Sequence, residues 1–340
     1  MPDQEVPPAR QITFVSCIER GRLEDETVLM LDTLRRNGGR LADARVLVVV
    51  GRRGAALAPA TEAALARLGV ELIHDRQQNP APWFNYANKI AAVTIAQKLA
   101  TTPLIAWLDS DVLVASEPTG LLLDDGEDFG GRCEFLPPAL HADSPVHVPY
   151  WEKLCALVGI GHEQLPFVRM EHLGIDMRLN FNSGIFVWRR SSVFAKAYKD
   201  LFVSLLRSRL AQHDGNFFTA DQVIIAPLLI AQGLRWKHLE LVDHHMIFQQ
   251  QLVGPGASPD MSRSHLIHYS RSLNPPYRDQ FLARLQREQP ELFAYLQTRA
   301  ELVRGKEPRM GRIAALALKA YRGLRWRLYA ARARPVPRGG

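Results

Sequence analysis

Residues 104–114 read Leu104-Ile105-Ala106-Trp107-Leu108-Asp109-Ser110-Asp111-Val112-Leu113-Val114. The apolar run carries no polar alternation, the pattern of a strand covered on both faces. Two carboxylates follow at its carboxyl end, one residue apart. In an open α/β sheet that edge is where ligands bind. Asp109 and Asp111 share a side of the extended chain, and adjacent carboxylates repel unless a cation or a shared proton lies between them. A hard divalent ion with oxygen ligands relieves that repulsion and would bridge to phosphate oxygens on a substrate. A solvated Asp-Ser-Asp turn closing a strand fits the same segment equally well when it is taken by itself.

Upstream of the aspartates, strand and helix patterns alternate. Ile12–Cys17 is a β-rich run, followed by a helical stretch over Glu24–Arg36. Val46–Val50 is a strand broken by Gly51–Gly54, Thr61–Leu68 is helical and is ended by Gly69, and Val70–Ile73 is a strand. A helix over Trp83–Leu99 then leads to the strand at 104–108. Such repetition predicts right-handed crossovers and a doubly wound sheet.

Downstream the pattern changes. Residues 115–180 are rich in proline, histidine and glycine, with one helix predicted at Tyr150–Val158. A strand is predicted at Phe181–Trp188, helices at Ser192–Arg209 and Thr219–Ala231, and a late strand at His265–His268. Helices at Tyr277–Arg287 and Pro290–Leu302 follow. Last comes Met310–Ala331, with Ile313, Ala317, Ala320, Leu324 and Leu328 on one helical face.

The 340 residues hold 42 Lys plus Arg and 35 Asp plus Glu, a formal charge of +7. The excess is confined to residues 301–340, whose 11 basic residues face only 2 acidic ones, so the first 300 residues are close to neutral. With 47% apolar and 23% charged residues the chain belongs with globular proteins, neither disordered nor collagen-like. Cys17, Cys133 and Cys155 lie far apart without a Cys-x-x-Cys pair, which excludes a disulfide scaffold and a thiolate zinc site and fits a reducing compartment. Met1–Arg10 is polar and carries no secretory signal, and no apolar run reaches the roughly 18 residues that cross a bilayer. A cytoplasmic protein is expected.

Three further segments bear on the aspartates: Asn85-Tyr86-Ala87-Asn88-Lys89-Ile90, Leu179-Asn180-Phe181-Asn182-Ser183-Gly184-Ile185, and Thr219-Ala220-Asp221-Gln222-Val223. With them the sequence resembles the nucleotide-sugar glycosyltransferases of the GT-A fold, particularly the group around glycosyltransferase family 8. That group has, in order, a basic residue on a helix, Asp-x-Asp after a strand, Asn-x-Gly on a later strand, Asp-Gln at a helix start and a late metal-binding His. The resemblance covers residues 11–270. It implies an α/β fold with a Rossmann-like mixed sheet and helices on both faces, divided into a glycosyltransferase domain over 1–300 and a basic tail over 301–340. Within the domain, residues 11–114 would form the nucleotide-binding half and 115–300 the acceptor half.

The resemblance also implies roles. Asp109 and Asp111 would hold Mn²⁺ or Mg²⁺ with His268 as third ligand, where the alternative for His268 is a half-buried strand histidine and His265 is the rival ligand. Such an ion offsets charge on the leaving nucleotide diphosphate. Lys89, Asn88, Asp109, Ser110, Asp111 and Gly184 would meet the donor, a UDP-sugar by resemblance, although Lys89 also suits a solvated helix face. Asn182, Asp221 and Gln222 would face the donor sugar. Thr219 with Gln222 equally makes a capping box, with Asp221 favoured by the helix dipole. Transfer to a hydroxyl acceptor with retention at the anomeric carbon is implied.

Two departures stand out. No acid directly follows the first strand, leaving Glu19 as the substitute, and the stretch after His268 lacks the Lys and Trp that grip the diphosphate in many relatives. Arg271 is the residue there able to hold phosphate bidentately. Two rivals remain at this stage: a haloacid-dehalogenase-type phosphatase with Asp109 as nucleophile, and a non-catalytic adaptor at a membrane surface. The basic, aromatic tail with Tyr321, Trp326 and Tyr329 predicts binding to an anionic membrane surface, bringing the chain to a glycan or glycolipid acceptor. A solvated helix, or one packed on the body, is the alternative. No nucleic-acid module accompanies the basic stretch, and no nucleic-acid partner is expected.

Overall fold

The computed structural model describes residues 8–134, 147–170, 174–208, 210, 219–248, 252, 259–299 and 311–332. Strands β1 (Ile12–Cys17), β2 (Arg45–Val49), β3 (Glu71–Ile73), β4 (Leu104–Leu108), β6 (Phe129–Cys133), β9 (Phe181–Arg189) and β10 (Trp236–His238) form one sheet. Their order is β10-β6-β9-β4-β1-β2-β3. β1 is parallel to β2 and β4, and β2 is parallel to β3; β9 runs antiparallel to both β4 and β6, so it alone opposes the rest. A second sheet joins β5 (Val112–Val114) to β12 (Leu266–His268), with β11 (His245–Met246) outside it, and β7 (Phe167–Met170) pairs with β8 (Ile175–Arg178) as a hairpin.

Alternation along the strands divides the apolar side chains between the sheet's faces. On β4, Ile105 and Trp107 join the core formed with α3 (Ala87–Leu99), α4 (Val148–Ala156), α5 (Phe194–Arg207) and α6 (Ile225–Ala231). Leu104, Ala106 and Leu108 join the opposite core, formed with α1 (Arg22–Asn37) and α2 (Pro59–Arg67). Helices therefore cover both faces, as the unbroken apolar runs require. A third apolar cluster gathers α7 (Arg278–Glu288) and α8 (Pro290–Gln297) against the β12 edge, and α9 (Gly311–Arg332) ends the described chain.

The mixed α/β sheet expected from the sequence is present, with several corrections. β6 lies inside a region that reads as irregular. Its Phe-Gly-Gly-Arg-Cys composition hides a fully buried strand, because a Cβ at Gly130 would press on Val187 and Leu123, and one at Gly131 on Phe129 and Phe181. The glycines make room for neighbours. The helix predicted from Trp83 starts at Ala87; the preceding residues form turns, pinned where Ala81 N–H donates to the Asn79 side chain and Phe84 N–H to the Ala81 carbonyl. The helix predicted from Thr219 starts at Ile225, after a run of turns through 219–224. The helix from Pro290 ends at Gln297, and residues 300–302 of that expectation lie outside the described residues. The tail helix spans Gly311–Arg332, and Met310, the start of that expectation, lies outside the described residues. No described helix is long and apolar enough to cross a membrane.

Candidate active site

The loop after β4 is held from two sides: Asp109 N–H donates to the Gly184 carbonyl of β9 at 2.8 Å, and Tyr269 N–H donates to the Asp111 carbonyl at 3.0 Å. The second contact continues the β12–β5 pairing, in which His268 lies opposite Val112. The His268 imidazole consequently reaches the carboxylates, with Nε2 at 3.3 Å from Asp111 and 4.0 Å from Asp109. One ligand atom each from Asp109, Asp111 and His268 falls within 4.8 Å of the others, and these three could hold a metal ion. Gly184 provides the space, since a Cβ there would collide with the His268 ring.

His265, the rival ligand, points elsewhere and meets Asp243 at 2.8 Å. A histidine that the motif reading passed over matters more. Nε2 of fully buried His244 lies 3.3 Å from His268 Nδ1, fixing the ring from behind so that Nε2 faces the carboxylates. Burial holds His244 well below the usual imidazole range, so it is the neutral partner. Burial also pulls His268 down, but the facing Asp111 and Asp109 carboxylates outweigh it and raise its pKa. Asp111 is moved the other way: burial pushes it up, and His268 brings it below the ordinary range. Asp109 is raised, by burial first and by Asp111, against the pull of Lys89.

Lys89 is no solvated helix lysine. It is buried, its Nζ at 2.8 Å from Asp221, 3.1 Å from Asp109, and 2.7 and 3.0 Å from the Ser183 carbonyl and hydroxyl. Asp109 and Asp221 raise its pKa despite burial, so it stays charged. Its three N–H donors are consumed inside the protein, tying the Asp-x-Asp loop, the Asn-Ser-Gly strand and the 219–224 turns together. Removing one partner of a buried pair of this kind costs about 3–5 kcal/mol.

Behind Lys89, Ser183 Oγ donates to Asp221 at 2.8 Å, and Tyr198 OH donates to the Asp221 carbonyl at 2.7 Å. Ser183 N–H donates to Gln222 Oε1 at 3.3 Å, while Gln222 Nε2 is buried with no partner among the described residues. Asn182 Oδ1 accepts from Gly184 N–H at 2.7 Å. The capping role expected for Thr219 and Gln222 has no helix to cap here, since α6 begins at Ile225.

In front of this layer opens a cleft of about 420 Å³. Asn88, Lys89, Asp109, Ser110, Asp111 and Arg271 line it, whereas Asn182, Gly184, Asp221, Gln222 and His268 form the buried layer behind. Ser270 takes φ 52°, the left-handed region that favours glycine, in the turn that carries Arg271 to the cleft. Glu19, the substitute acid, also lines the cleft. It pairs with Arg52 and accepts from Asn88 Nδ2, so Asn88 is committed to Glu19. The cleft further includes Arg22, Glu26, Arg52 and Arg322, which no motif marked; a basic or acidic residue outside a motif has no local signal. Cys17 faces the cleft too, but burial, then Glu19, push its thiol up to about 12, leaving a neutral thiol.

The family model of the Rhodobacterales glycosyltransferase domain matches residues 14–233, about two thirds of the chain, from within β1 to beyond the end of α6. The chain belongs to that glycosyltransferase family. The match decides against the phosphatase reading of Asp109 and against a non-catalytic adaptor: the protein is a glycosyltransferase enzyme. No curated protein matches its sequence. Among solved structures, the glycosyltransferase is similar to the galactosyltransferase LgtC in complex with donor and acceptor sugar analogues, at 14% identity over 89% of this chain and 99% of that one, with a TM-score of 0.47. It is also similar to glycosyltransferase GlyE of Streptococcus pneumoniae TIGR4, at 12% identity over 87% and 65% of the two chains and a TM-score of 0.45. Mouse xyloside xylosyltransferase 1 matches at 13% identity over 76% and 97%, with a TM-score of 0.42.

The tail helix packs on the body by one side. Trp83 meets Trp326 at 5.4 Å and Tyr329 at 4.8 Å between ring centroids. Leu318, Arg322, Trp326 and Tyr329 are half-buried, whereas Leu316, Ala317, Ala320, Leu324 and Leu328 are exposed. The apolar stripe read from the sequence thus faces away from the body for the residues whose side chains are described; Ile313 is outside them.

Proposed function

We propose that the glycosyltransferase moves a sugar from a UDP-sugar to a hydroxyl of a glycan or glycolipid acceptor, with Mn²⁺ or Mg²⁺ at Asp109, Asp111 and His268. The convergence of those three side chains at the carboxyl end of the central strands carries this reading. Two carboxylates and one imidazole make an oxygen-rich donor set that suits these hard cations. The bound ion would neutralise charge on the departing diphosphate. Arg271, facing the same cleft, is assigned the phosphate oxygens, and Arg22 beside it adds positive charge. Ser110 lies between the two ligating carboxylates in the cleft lining and is assigned to the donor, and Asn88 steadies Glu19.

Lys89 acts as an internal counter-ion between Asp109 and Asp221 and holds both in place. Asn182, Asp221 and Gln222 are assigned the donor sugar, and Gln222 Nε2, buried with no partner among the described residues, supports a role in recognising an acceptor oxygen on that sugar. Charge developing on an oxocarbenium-like sugar in the transition state would be stabilised by the buried carboxylate of Asp221. Retention follows from the family resemblance, and the anomeric configuration of the product tests it. The acceptor is assigned to residues 115–300, downstream of the nucleotide half.

The exposed stripe of α9 is assigned to an anionic membrane. Leu316, Leu324 and Leu328 stand in solvent beside Lys319, Arg325, Arg327 and Arg332, the pairing of apolar and cationic side chains that anionic lipid attracts. Such docking places the enzyme at the cytoplasmic face of a membrane. UDP release from a panel of UDP-sugars, with and without Mn²⁺, tests the reaction: turnover that EDTA abolishes is expected, and no metal-dependent turnover with any UDP-sugar would overturn it.

A further inference from the structure

The C-terminal helix contributes to the wall of the cleft. Arg322 of α9 lines the cleft, with Nη2 at 3.7 Å from Glu19 Oε2. The same Glu19 carboxylate pairs with Arg52, through Nη2 at 2.7 Å and through Nε, and accepts from Asn88. One carboxylate therefore answers two guanidinium groups, and this part of the cleft keeps a surplus positive charge. The hydrogen-bond count is also unbalanced: Arg52 Nη1 and Arg322 Nε are buried with no partner among the described residues. Buried donors without acceptors are costly, and both belong to arginines that line the cleft, where a ligand can supply acceptors.

Arg322 is held in place. Trp326, one turn further along α9, and Tyr329 pack on Trp83, in the turns that lead into the helix bearing Asn88 and Lys89. The helix is therefore docked beside the cleft by an aromatic cluster, with its arginine directed inward.

This inference rests on the nucleotide-diphosphate reading above. A diphosphate at Asp109, Asp111 and His268 would leave the nucleoside the rest of the same cleft, whose lining includes Glu19, Arg52 and Arg322. A pyrimidine with carbonyl oxygens, or a ribose with hydroxyls, offers the acceptors that Arg52 and Arg322 lack. We propose that Arg322 is a specificity-determining contact to the nucleoside half of the donor, so that α9 completes the donor site as well as presenting its outer face to a membrane.

Calorimetric titration of the full-length protein with UDP and with inorganic pyrophosphate, both in Mn²⁺, tests this. Arg322→Ala should weaken UDP about tenfold or more, the loss of one charge-assisted hydrogen bond, and leave pyrophosphate binding unchanged, which also shows that the variant is folded. Arg322→Lys, which keeps the charge without the fork, should recover part of the loss. Lys196→Ala, an exposed cation on α5 outside the cleft, should bind UDP as the wild type does. In turnover, Arg322→Ala should raise donor KM with kcat within about twofold. UDP bound equally well by Arg322→Ala, or UDP and pyrophosphate weakened together, would overturn the proposal. A wild-type protein that binds neither ligand would instead overturn the donor reading on which it rests.

Discussion

A methyl group at position 184 would occupy the space of the His268 ring, so Gly184→Ala is expected to displace the third ligand while leaving the sheet intact. Mn²⁺ affinity, followed by electron paramagnetic resonance, should fall about 10–100-fold, the cost typical of disturbing a ligand's support, with little change in melting temperature; unchanged Mn²⁺ affinity would remove His268 from the ligand set. Glu26 supplies a second residue-scale test. Burial, then the Asp111 charge, raise its pKa from 4.5 to about 8, although Arg22 lies 3.1 Å away. The folded chain therefore keeps a proton that the unfolded chain loses, and the metal-free protein should lose stability as pH rises from about 5 to about 8, by a few kcal/mol at most. Urea melts should show this slope for the wild type and a flatter one for Glu26→Gln; equal slopes would contradict the burial argument. The motif residues were legible because carboxylates, amides and glycines interrupt apolar runs. Arg52, Glu26 and His244 interrupt nothing, and only the tertiary structure brings them to the site.

Among elements, those with strong apolar periodicity were read closely: β4 at Leu104–Leu108 as expected, β9 one residue longer, and α1 and α5 within two residues at each end. The misreadings have side-chain causes. β6 was hidden because Gly130 and Gly131 serve the packing of Phe181, Val187 and Leu123, which strips the strand of β-forming residues. The turns at 219–224 replace a predicted first helical turn because Asp221 is drawn to Lys89 and Ser183 and Gln222 to the Ser183 amide. A tertiary electrostatic pull overrides a local capping pattern there. In α9 the sequence reading gave Trp326 and Tyr329 to a membrane surface, whereas both pack on Trp83 of the body. That packing leaves the leucine stripe outward. Binding to phosphatidylglycerol vesicles, absent with phosphatidylcholine and lost on truncation before residue 311, is the expected outcome; added salt should weaken it. Binding that survives the truncation would place the membrane contact elsewhere.

For the whole molecule, the net charge of +7 divides by function. The near-neutral body concentrates opposite charges in one cleft, with the carboxylates of Asp109 and Asp111 beside Lys89, Arg271 and Arg22, an arrangement suited to a metal ion and a diphosphate. The tail supplies the excess cations and, through Arg322, a wall of that cleft. The central claim is that Asp109, Asp111 and His268 bind the cation through which a nucleotide diphosphate is held. Calorimetric titration of UDP into wild-type protein and Asp111→Asn, each with and without Mn²⁺, tests it most directly. The account predicts Mn²⁺-dependent UDP binding by the wild type and its loss in a folded Asp111→Asn variant. UDP affinity that is indifferent to both Mn²⁺ and the substitution would contradict it.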